Sequence, residues 1–421
     1  MNISIIGTGY VGLVSGICFA KLGNNVICVD IDKKKIDKIN NGITPIYEKG
    51  LEELLLNNKE KIKATTDYSS SINNTDVTFI CVGTPSIEDG SIDLTFIKEV
   101  TIEIANILKN KDDYHIIVVK STVLPGTTMD VVLPLLEKHS KKKAGRDFGL
   151  AMNPEFLREG IAVNDFLKPD RIVIGAIDEK SKKLLKELYK DFTCPIVETS
   201  LSAAEIIKYA SNCFLATKIS FINEIGNICK KLKIDAYEVA DGIGLDKRIG
   251  RAFLDSGIGW GGSCFPKDLQ AFLNWSKEKD EYVKILESTI EVNDIQPLKL
   301  VELLKKHIPD LKGKTIGILG LAFKPETDDI RESRVIPIVG RLLKEGAAIK
   351  AYDPKAMKNF EELYPQIEYC SSARDVLDSD AVLITTRWDD FKKLDYKGKI
   401  VIDGRRLKEA EKARIYEGVC W

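Results

Sequence analysis

The chain opens with an apolar run, Asn-Ile-Ser-Ile-Ile at positions 2–6, that leads straight into the turn Gly7-Thr-Gly-Tyr-Val-Gly12. A helical pattern continues to Leu22, and the run Asn-Val-Ile-Cys-Val-Asp at 25–30 reads as a second strand ending in an acid. Short apolar runs bounded by turn residues predict buried strands of a parallel sheet. Further runs of this kind stand at 77–82, 116–120, 149–152 and 172–175. The first three of these end at Gly83-Thr-Pro85, Ser121-Thr-Val-Leu-Pro-Gly126 and Asn153-Pro-Glu-Phe-Leu-Arg-Glu159. Open α/β sheets bind ligands at that carboxyl edge, although each turn taken alone is an ordinary strand-to-helix connection.

From 202 to about 233 the period lengthens to that of a helix, with apolar residues at Ile206, Ala210, Phe214, Phe221 and Ile225. The opening grammar then returns. Residues 314–319 read as a strand into Gly320-Leu-Ala-Phe-Lys324, and 348–353 as a strand ending in an acid, with further strands at 381–385 and 399–403. The pattern predicts an α/β chain with two Rossmann-like, doubly wound parallel-sheet domains joined by a central helical region. The expected limits are 1–200, 201–300 and 301–421. The second repeat lacks Gly-x-Gly-x-x-Gly, so it need not bind a dinucleotide.

Composition narrows the partners. The 421 residues carry 62 basic and 63 acidic side chains, a net charge of −1, which argues against general affinity for nucleic acid or anionic membrane. Gly7, Gly9, Gly12 and Gly16 interrupt the apolar N-terminus, no basic region precedes it, and no run of 18 apolar residues occurs, so neither a signal peptide nor a span is expected. Nine cysteines without framework spacing fit a reduced, cytoplasmic compartment. Three histidines without ligand spacing give no reason to expect a metal.

Candidate chemistry gathers at three places. In the first turn, Gly7 permits the tight bend, Gly9 admits a pyrophosphate and Gly12 lets helix and strand pack. Free N–H groups at the following helix end face the phosphates. Asp30 is placed to bind the ribose hydroxyls and to repel a 2′-phosphate, favouring NAD; Lys33, Lys34 and Lys35 would soften that repulsion, and NADP is the alternative. On the central helix, Lys208 and Asn212 are four apart and share a face; Lys208 reads equally as a solvated lysine or a catalytic one. Finally, Gly259-Trp-Gly-Gly-Ser-Cys-Phe-Pro-Lys-Asp268 surrounds Cys264 with glycines, a proline and both charge signs. That is the setting of a reactive thiolate or, read plainly, a glycine turn holding an incidental cysteine.

Taken together, and in order along nearly the whole chain, these segments resemble the UDP-glucose 6-dehydrogenase family of nucleotide-sugar dehydrogenases. The resemblance rests on residues 7–12, 83–85, 121–122, 153–160, 205–224, 248–250, 259–268, 323–324 and 331–333. It implies oxidation of the sugar C6 alcohol to a carboxylate in two NAD-dependent steps, with Cys264 attacking the intermediate aldehyde to give a thiohemiacetal and then a thioester. Lys208 and Asn212 match stabilisers of the developing oxyanion. Asp268 matches a residue that positions water or moves protons, and Thr122 and Glu155 match the water and proton relay.

By the same resemblance, Glu155, Phe156, Leu157 and Glu159 line the sugar and cofactor. The loop Phe253, Leu254, Asp255, Ser256 and Gly257, together with Gly261, surrounds uridine and diphosphate. Lys324 and one of Arg405 or Arg406 contribute from the last domain. The cofactor positions are Tyr10, Val11, Asp30, Lys35, Gly83, Thr84, Thr122, Glu159, Lys267 and Arg331, beside the glycines of the first turn. Arg248 matches an arginine that reaches the sugar of a neighbouring subunit, which implies a homodimer joined through the central helices. UDP-glucose is the expected substrate. Relatives acting on N-acetylated UDP-hexosamines carry proline in place of Gly83 and histidine in place of Ser263, and GDP-mannose dehydrogenases continue with leucine where Phe265 stands. Those sugars are the rivals. A non-catalytic nucleotide-sugar sensor, or a dehydrogenase stopping at the aldehyde, would have no use for Cys264.

Overall fold

The computed structural model describes residues 1–421, which divide into two compact units, Met1–Ser211 and Asn212–Trp421. The first is built on an eight-stranded sheet: β1 (Asn2–Ile6), β2 (Asn25–Val29), β3 (Ile62–Thr65), β4 (Val77–Ile80), β5 (Ile116–Val119), β6 (Gly149–Met152), β7 (Ile172–Ala176) and β8 (Ile196–Thr199), in the order β3-β2-β1-β4-β5-β6-β7-β8. The order reverses at β1, which pairs in parallel with both β2 (Asn2 opposite Asn25) and β4 (Ile3 opposite Val77). The first glycine turn leaves the sheet at that reversal.

Alternate side chains of one strand enter different cores, as a sheet covered on both faces requires. Ile3, Ile5, Phe79 and Val118 pack with Phe19 on one face; Ile6, Ile80, Ile117 and Val119 pack on the other. Phe19 is ringed by Phe79, Phe166 and Tyr189, with centroids 5.2, 5.0 and 5.8 Å away.

The sheet is parallel except at one place. β6 and β7 are antiparallel, with Ala151 opposite Ala176. The intervening chain, with its short helix Ala162–Leu167, does not cross the sheet, so β7 enters from the edge where β6 left. A uniformly parallel sheet, as the apolar runs predict, therefore needs this correction.

The second unit holds a six-stranded, wholly parallel sheet of β9 (Thr315–Leu319), β10 (Ala348–Tyr352), β11 (Glu368–Tyr369), β12 (Ala381–Ile384), β13 (Ile400–Asp403) and β14 (Ile415–Gly418), ordered β11-β10-β9-β12-β13-β14. The boundary between the units falls inside the long helix Leu201–Leu232. The helices Ala236–Gly244, Phe265–Lys277, Lys284–Ile295 and Leu298–His307 follow. No helix is long and apolar enough to cross a membrane.

Candidate active site

In the first unit, geometry forces two of the glycines. Gly7 has φ +94°, and a Cβ there would lie 2.8 Å from the Cys81 carbonyl oxygen; one on Gly12 would lie 1.9 Å from the Gly7 oxygen. A Cβ on Gly9 would meet nothing within 4 Å, so that position faces open space. Helix Tyr10–Lys21 starts there and offers its unpaired N–H groups. Val11 lies partly buried against the first core.

Beside the turn, Asp30 Oδ2 accepts from the Thr8 amide (2.8 Å) and hydroxyl (2.6 Å), while Oδ1 accepts from the Asp32 amide (3.0 Å). Lys35 Nζ stands 3.8 Å away. Burial pushes the Asp30 pKa up, but the Thr8 and Asp32 hydrogen bonds and the Lys35 charge outweigh it and leave it below the usual carboxylate range. The open glycine, the helix end and the ionised acid fit the pyrophosphate and ribose of a dinucleotide. Tyr10 points elsewhere: its hydroxyl donates to Glu48, which also accepts from the Gly160 and Ala162 amides at 2.7 and 2.8 Å. Tyr10 thus ties the turn to the loop that follows β6.

At the ends of β4 and β5, Thr84 Oγ1 donates to the Thr122 carbonyl (3.0 Å) and Ser121 Oγ to the Val82 carbonyl (2.7 Å). Gly83 has no neighbour where a side chain would be. In the loop after β6, buried Glu155 receives Lys208 Nζ at 2.8 Å and the Leu157 amide at 2.6 Å. Burial opposes ionisation of Glu155; Lys208, the Leu157 amide and the charge of Lys120 overcome it and lower its pKa. The Phe156 ring lies 3.8 Å from the Arg171 guanidinium and 5.5 Å from Lys208 Nζ. Lys208 is 3% exposed, which removes the reading of it as a solvated lysine. Glu159 is partly exposed.

In the second unit, Cys264 immediately precedes helix Phe265–Lys277, whose first turn contains Pro266. Asp268 donates its amide to the Cys264 carbonyl (2.8 Å), and its carboxylate lies 1% exposed in the same turn. Asn212 Nδ2 donates to Asp268 Oδ2 and Lys267 Nζ to Oδ1, each at 2.7 Å. Ser263 Oγ lies 3.5 Å from the sulfur. Among nine cysteines Cys264 is the exposed one, whereas burial pushes Cys18, Cys28, Cys81, Cys213 and Cys420 up to about 12. Lys208 and Asn212 stand one turn apart on the long helix.

Partners remote in sequence hold the glycine segment. Asn293 clamps Trp260 by accepting from its amide (2.7 Å) and donating to its carbonyl (3.0 Å). Gly262 donates to the Arg331 carbonyl (2.9 Å), and a Cβ on Gly261 would lie 2.1 Å from the Glu332 carbonyl oxygen. The preceding loop includes Phe253 at φ +64° and buried Leu254 and Ser256. Asp255 pairs with Arg251 (2.7 Å), and the Gly257 amide is held by Asn223 (2.8 Å).

Arg405 donates to the carbonyls of Gly259 (3.2 Å) and Thr385 (3.0 Å), and burial lowers its pKa to about 10. Arg406 instead pairs with Asp235 and lies 4.2 Å over the Tyr237 ring. Lys324 Nζ is 5.4 Å from the Phe323 ring. Arg331 and Arg248 lie at the surface, paired with Asp329 and Asp246, both at 2.6 Å. The acid ending β10 differs from the one after β2. Asp353 is fully buried and accepts from the amides of Leu321, Ala322, Lys355 and Ala356 and from the Trp388 indole, leaving nothing for a ribose.

Sequence reasoning passed over Thr8, Glu48, Asn223 and Asn293. Thr8 had a local signal, since it sits inside the glycine turn. The others act across the chain and leave no spacing signature.

The chain is similar to known proteins along its whole length. Sequence models described as the UDP-glucose/GDP-mannose dehydrogenase family match residues 1–193 (NAD binding domain), 202–295 (central domain) and 317–410 (UDP binding domain). The chain is 46% identical to UDP-glucose 6-dehydrogenase AglM of Haloferax volcanii, with 100% of both chains covered. It is 44% identical to UDP-glucose 6-dehydrogenase TuaD of Bacillus subtilis, covering 97% of this chain and 90% of that one. A solved UDP-glucose dehydrogenase from the hyperthermophilic archaeon Pyrobaculum islandicum superposes with a TM-score of 0.96 at 42% identity, over 100% and 98% of the two chains.

Proposed function

The chain belongs to the UDP-glucose/GDP-mannose dehydrogenase family, and from that premise we propose that it oxidises UDP-glucose at C6 to UDP-glucuronate through Cys264. It is an NAD-dependent oxidoreductase. In this reading residues 1–200 hold NAD, 201–300 carry the catalytic helix and the dimer contact, and 301–421 hold the UDP moiety. One observation carries the proposal: an exposed thiol stands at the head of a helix whose buried Asp268 is hydrogen-bonded to Asn212.

The first glycine turn and Asp30 would hold NAD, which would supply a hydride acceptor for each of the two oxidations, one NAD molecule per step. The protein's own groups do the rest. Cys264 Sγ adds to the C6 aldehyde: a C–S bond forms and the carbonyl π pair moves onto oxygen. Lys208 and Asn212 offer that oxyanion a cation and an amide, and the dipole at the N-terminus of Phe265–Lys277 favours negative charge beside the sulfur. The tetrahedral adduct is the species that can undergo the second oxidation, to a thioester. Water then adds, the C–S bond breaks, and sulfur leaves as thiolate. Asp268, Glu155 and Thr122 handle water and protons across these steps.

Gly83, Ser263 and Phe265 support glucose over the acetylated hexosamines and GDP-mannose. A homodimer belongs to the same reading: Phe214, Phe221 and Ile228 recur every seven residues along the long helix and are 65%, 50% and 55% exposed. Arg248 would then serve the neighbouring site. A reducing, cytoplasmic setting follows from the need to keep Cys264 as a thiol.

The deciding experiment counts NADH per mole of limiting sugar, with UDP-glucose beside UDP-N-acetylglucosamine, UDP-N-acetylmannosamine and GDP-mannose. Two NADH per UDP-glucose, and little from the rest, is expected. One NADH would remove the thioester, and two from another sugar would replace the substrate.

A further inference from the structure

One buried cation next to this chemistry has no assigned task. Lys120 follows β5 and is 4% exposed. Its ammonium donates to Asn153 Oδ1 at 3.0 Å and to the Asn153 carbonyl at 3.4 Å. The Asn153 amide nitrogen donates to the Val173 carbonyl (2.8 Å), and Tyr189 donates its hydroxyl to the same Oδ1 (2.6 Å). Asn153 is therefore fixed from three elements. It is the first residue after β6, and Glu155 follows two positions later.

Neutral amide oxygens alone are poor compensation for an ammonium taken out of water. Burial lowers the Lys120 pKa to about 8, with Cys81 and Glu155 pulling it upward and Lys208 pressing it further down. The same coupling reaches Glu155, whose carboxylate is favoured by Lys120 as well as by Lys208. Within the first unit, the titratable groups around this cluster are thus Cys81 after β4, Lys208 on the long helix, Tyr189 after helix Glu179–Leu188, and Glu155 itself.

We propose that Lys120 is a positioning residue for the Glu155–Lys208 pair, fixing Asn153 at the root of the loop that carries Glu155 and placing a second buried ammonium in its surroundings. The proposal rests on the reading of Glu155 as part of the proton-handling machinery. Removing the charge should make Glu155 easier to protonate, which moves the acid limb of kcat/KM for the sugar to higher pH.

The test compares pH profiles of the full-length protein and its variants with UDP-glucose. Lys120→Met should shift the acid limb upward by roughly one unit and lower kcat at neutral pH about tenfold, while NADH binding followed by fluorescence stays within about twofold. Lys120→Arg should return the limb to its original place. Tyr189→Phe loosens Asn153 without changing charge and should lower kcat with the limb unmoved. Should Lys120→Met fail to fold, Lys120→Gln, which keeps a donor for Asn153 and drops the charge, carries the same test. A limb that stays in place without the charge, or that Tyr189→Phe moves equally, overturns the proposal. Failure of the underlying function looks different: the unmodified protein would make no NADH from UDP-glucose at any pH.

Discussion

Asn212 and Asp268, 56 positions apart in the chain, meet through a 2.7 Å hydrogen bond from amide to carboxylate. The bond fixes one oxygen of Asp268, Lys267 fixes the other, and Cys264 stands one turn before them. Asp268→Asn keeps the shape and removes the charge. On the proposed role of Asp268 in moving protons, it should lower kcat by about 10²- to 10⁴-fold, the range for loss of a general acid–base group. The stability cost, read by chemical denaturation, should be only about 1–3 kcal/mol, the usual worth of a charge-assisted hydrogen bond.

Cys264 is separated from the other thiols by exposure. At pH 7.5 a small alkylating agent should modify about one cysteine per chain rapidly, and mass spectrometry should place it at Cys264. Cys264→Ser should abolish that label and halt conversion of UDP-glucose to UDP-glucuronate. Rapid labelling shared with the buried Cys81 or Cys213, whose pKa values burial raises to about 12, would contradict this account.

Asp30→Asn tests the cofactor choice. The Thr8 and Asp32 hydrogen bonds and the Lys35 charge hold the Asp30 carboxyl below the usual carboxylate range, and on the proposed reading its charge would disfavour a 2′-phosphate. The substitution should raise KM for NAD about tenfold, some 1.4 kcal/mol of binding, and narrow the preference over NADP. Both follow from initial rates with each cofactor.

His115 gives the acid limit of stability. It is fully buried, its ring nitrogens meeting Thr78 Oγ1 (2.7 Å) and the Thr75 carbonyl (3.0 Å), and burial lowers its pKa from 6.5 to about 3. A folded-state pKa below the unfolded one means that protons bind preferentially to the unfolded chain. The His115 contribution is therefore complete above about pH 6.5 and is lost as pH falls from there toward 3. Thermal midpoints measured from pH 8 to 5 should decline below pH 6.5, and His115→Gln should flatten that decline.

The apolar runs made some strands legible and hid others, for a reason visible in the sheets. β1, β4, β5 and β6 lie inside their sheet, nearly every residue is buried, and each reads as an unbroken apolar run. β3, β8, β11 and β14 were not legible, and these four are the sheet edges. Ile62-Lys-Ala-Thr65 and Ile196-Val-Glu-Thr199 need satisfy only one neighbour and solvent, so polar residues interrupt them. The site divides similarly. The glycine turn, Asp30 and the cysteine segment are local patterns and can be read from spacing. The contacts of Glu48 with Gly160, Asn293 with Trp260, and Lys120 with Asn153 join distant positions and follow only from the fold.

The reversed pairing of β6 and β7 has a consequence for where loops accumulate. Had β7 run parallel to β6, the chain leaving Met152 would have had to travel to the opposite rim of the sheet before re-entering. Most of its length would then have been spent on transport. By turning back, the segment from Asn153 to Arg171 stays on the rim that also bears the glycine turn and the ends of β4 and β5. One change of strand direction thus gives that rim an additional long loop, free to carry Glu155, Phe156 and Leu157, with no additional strand needed to anchor it.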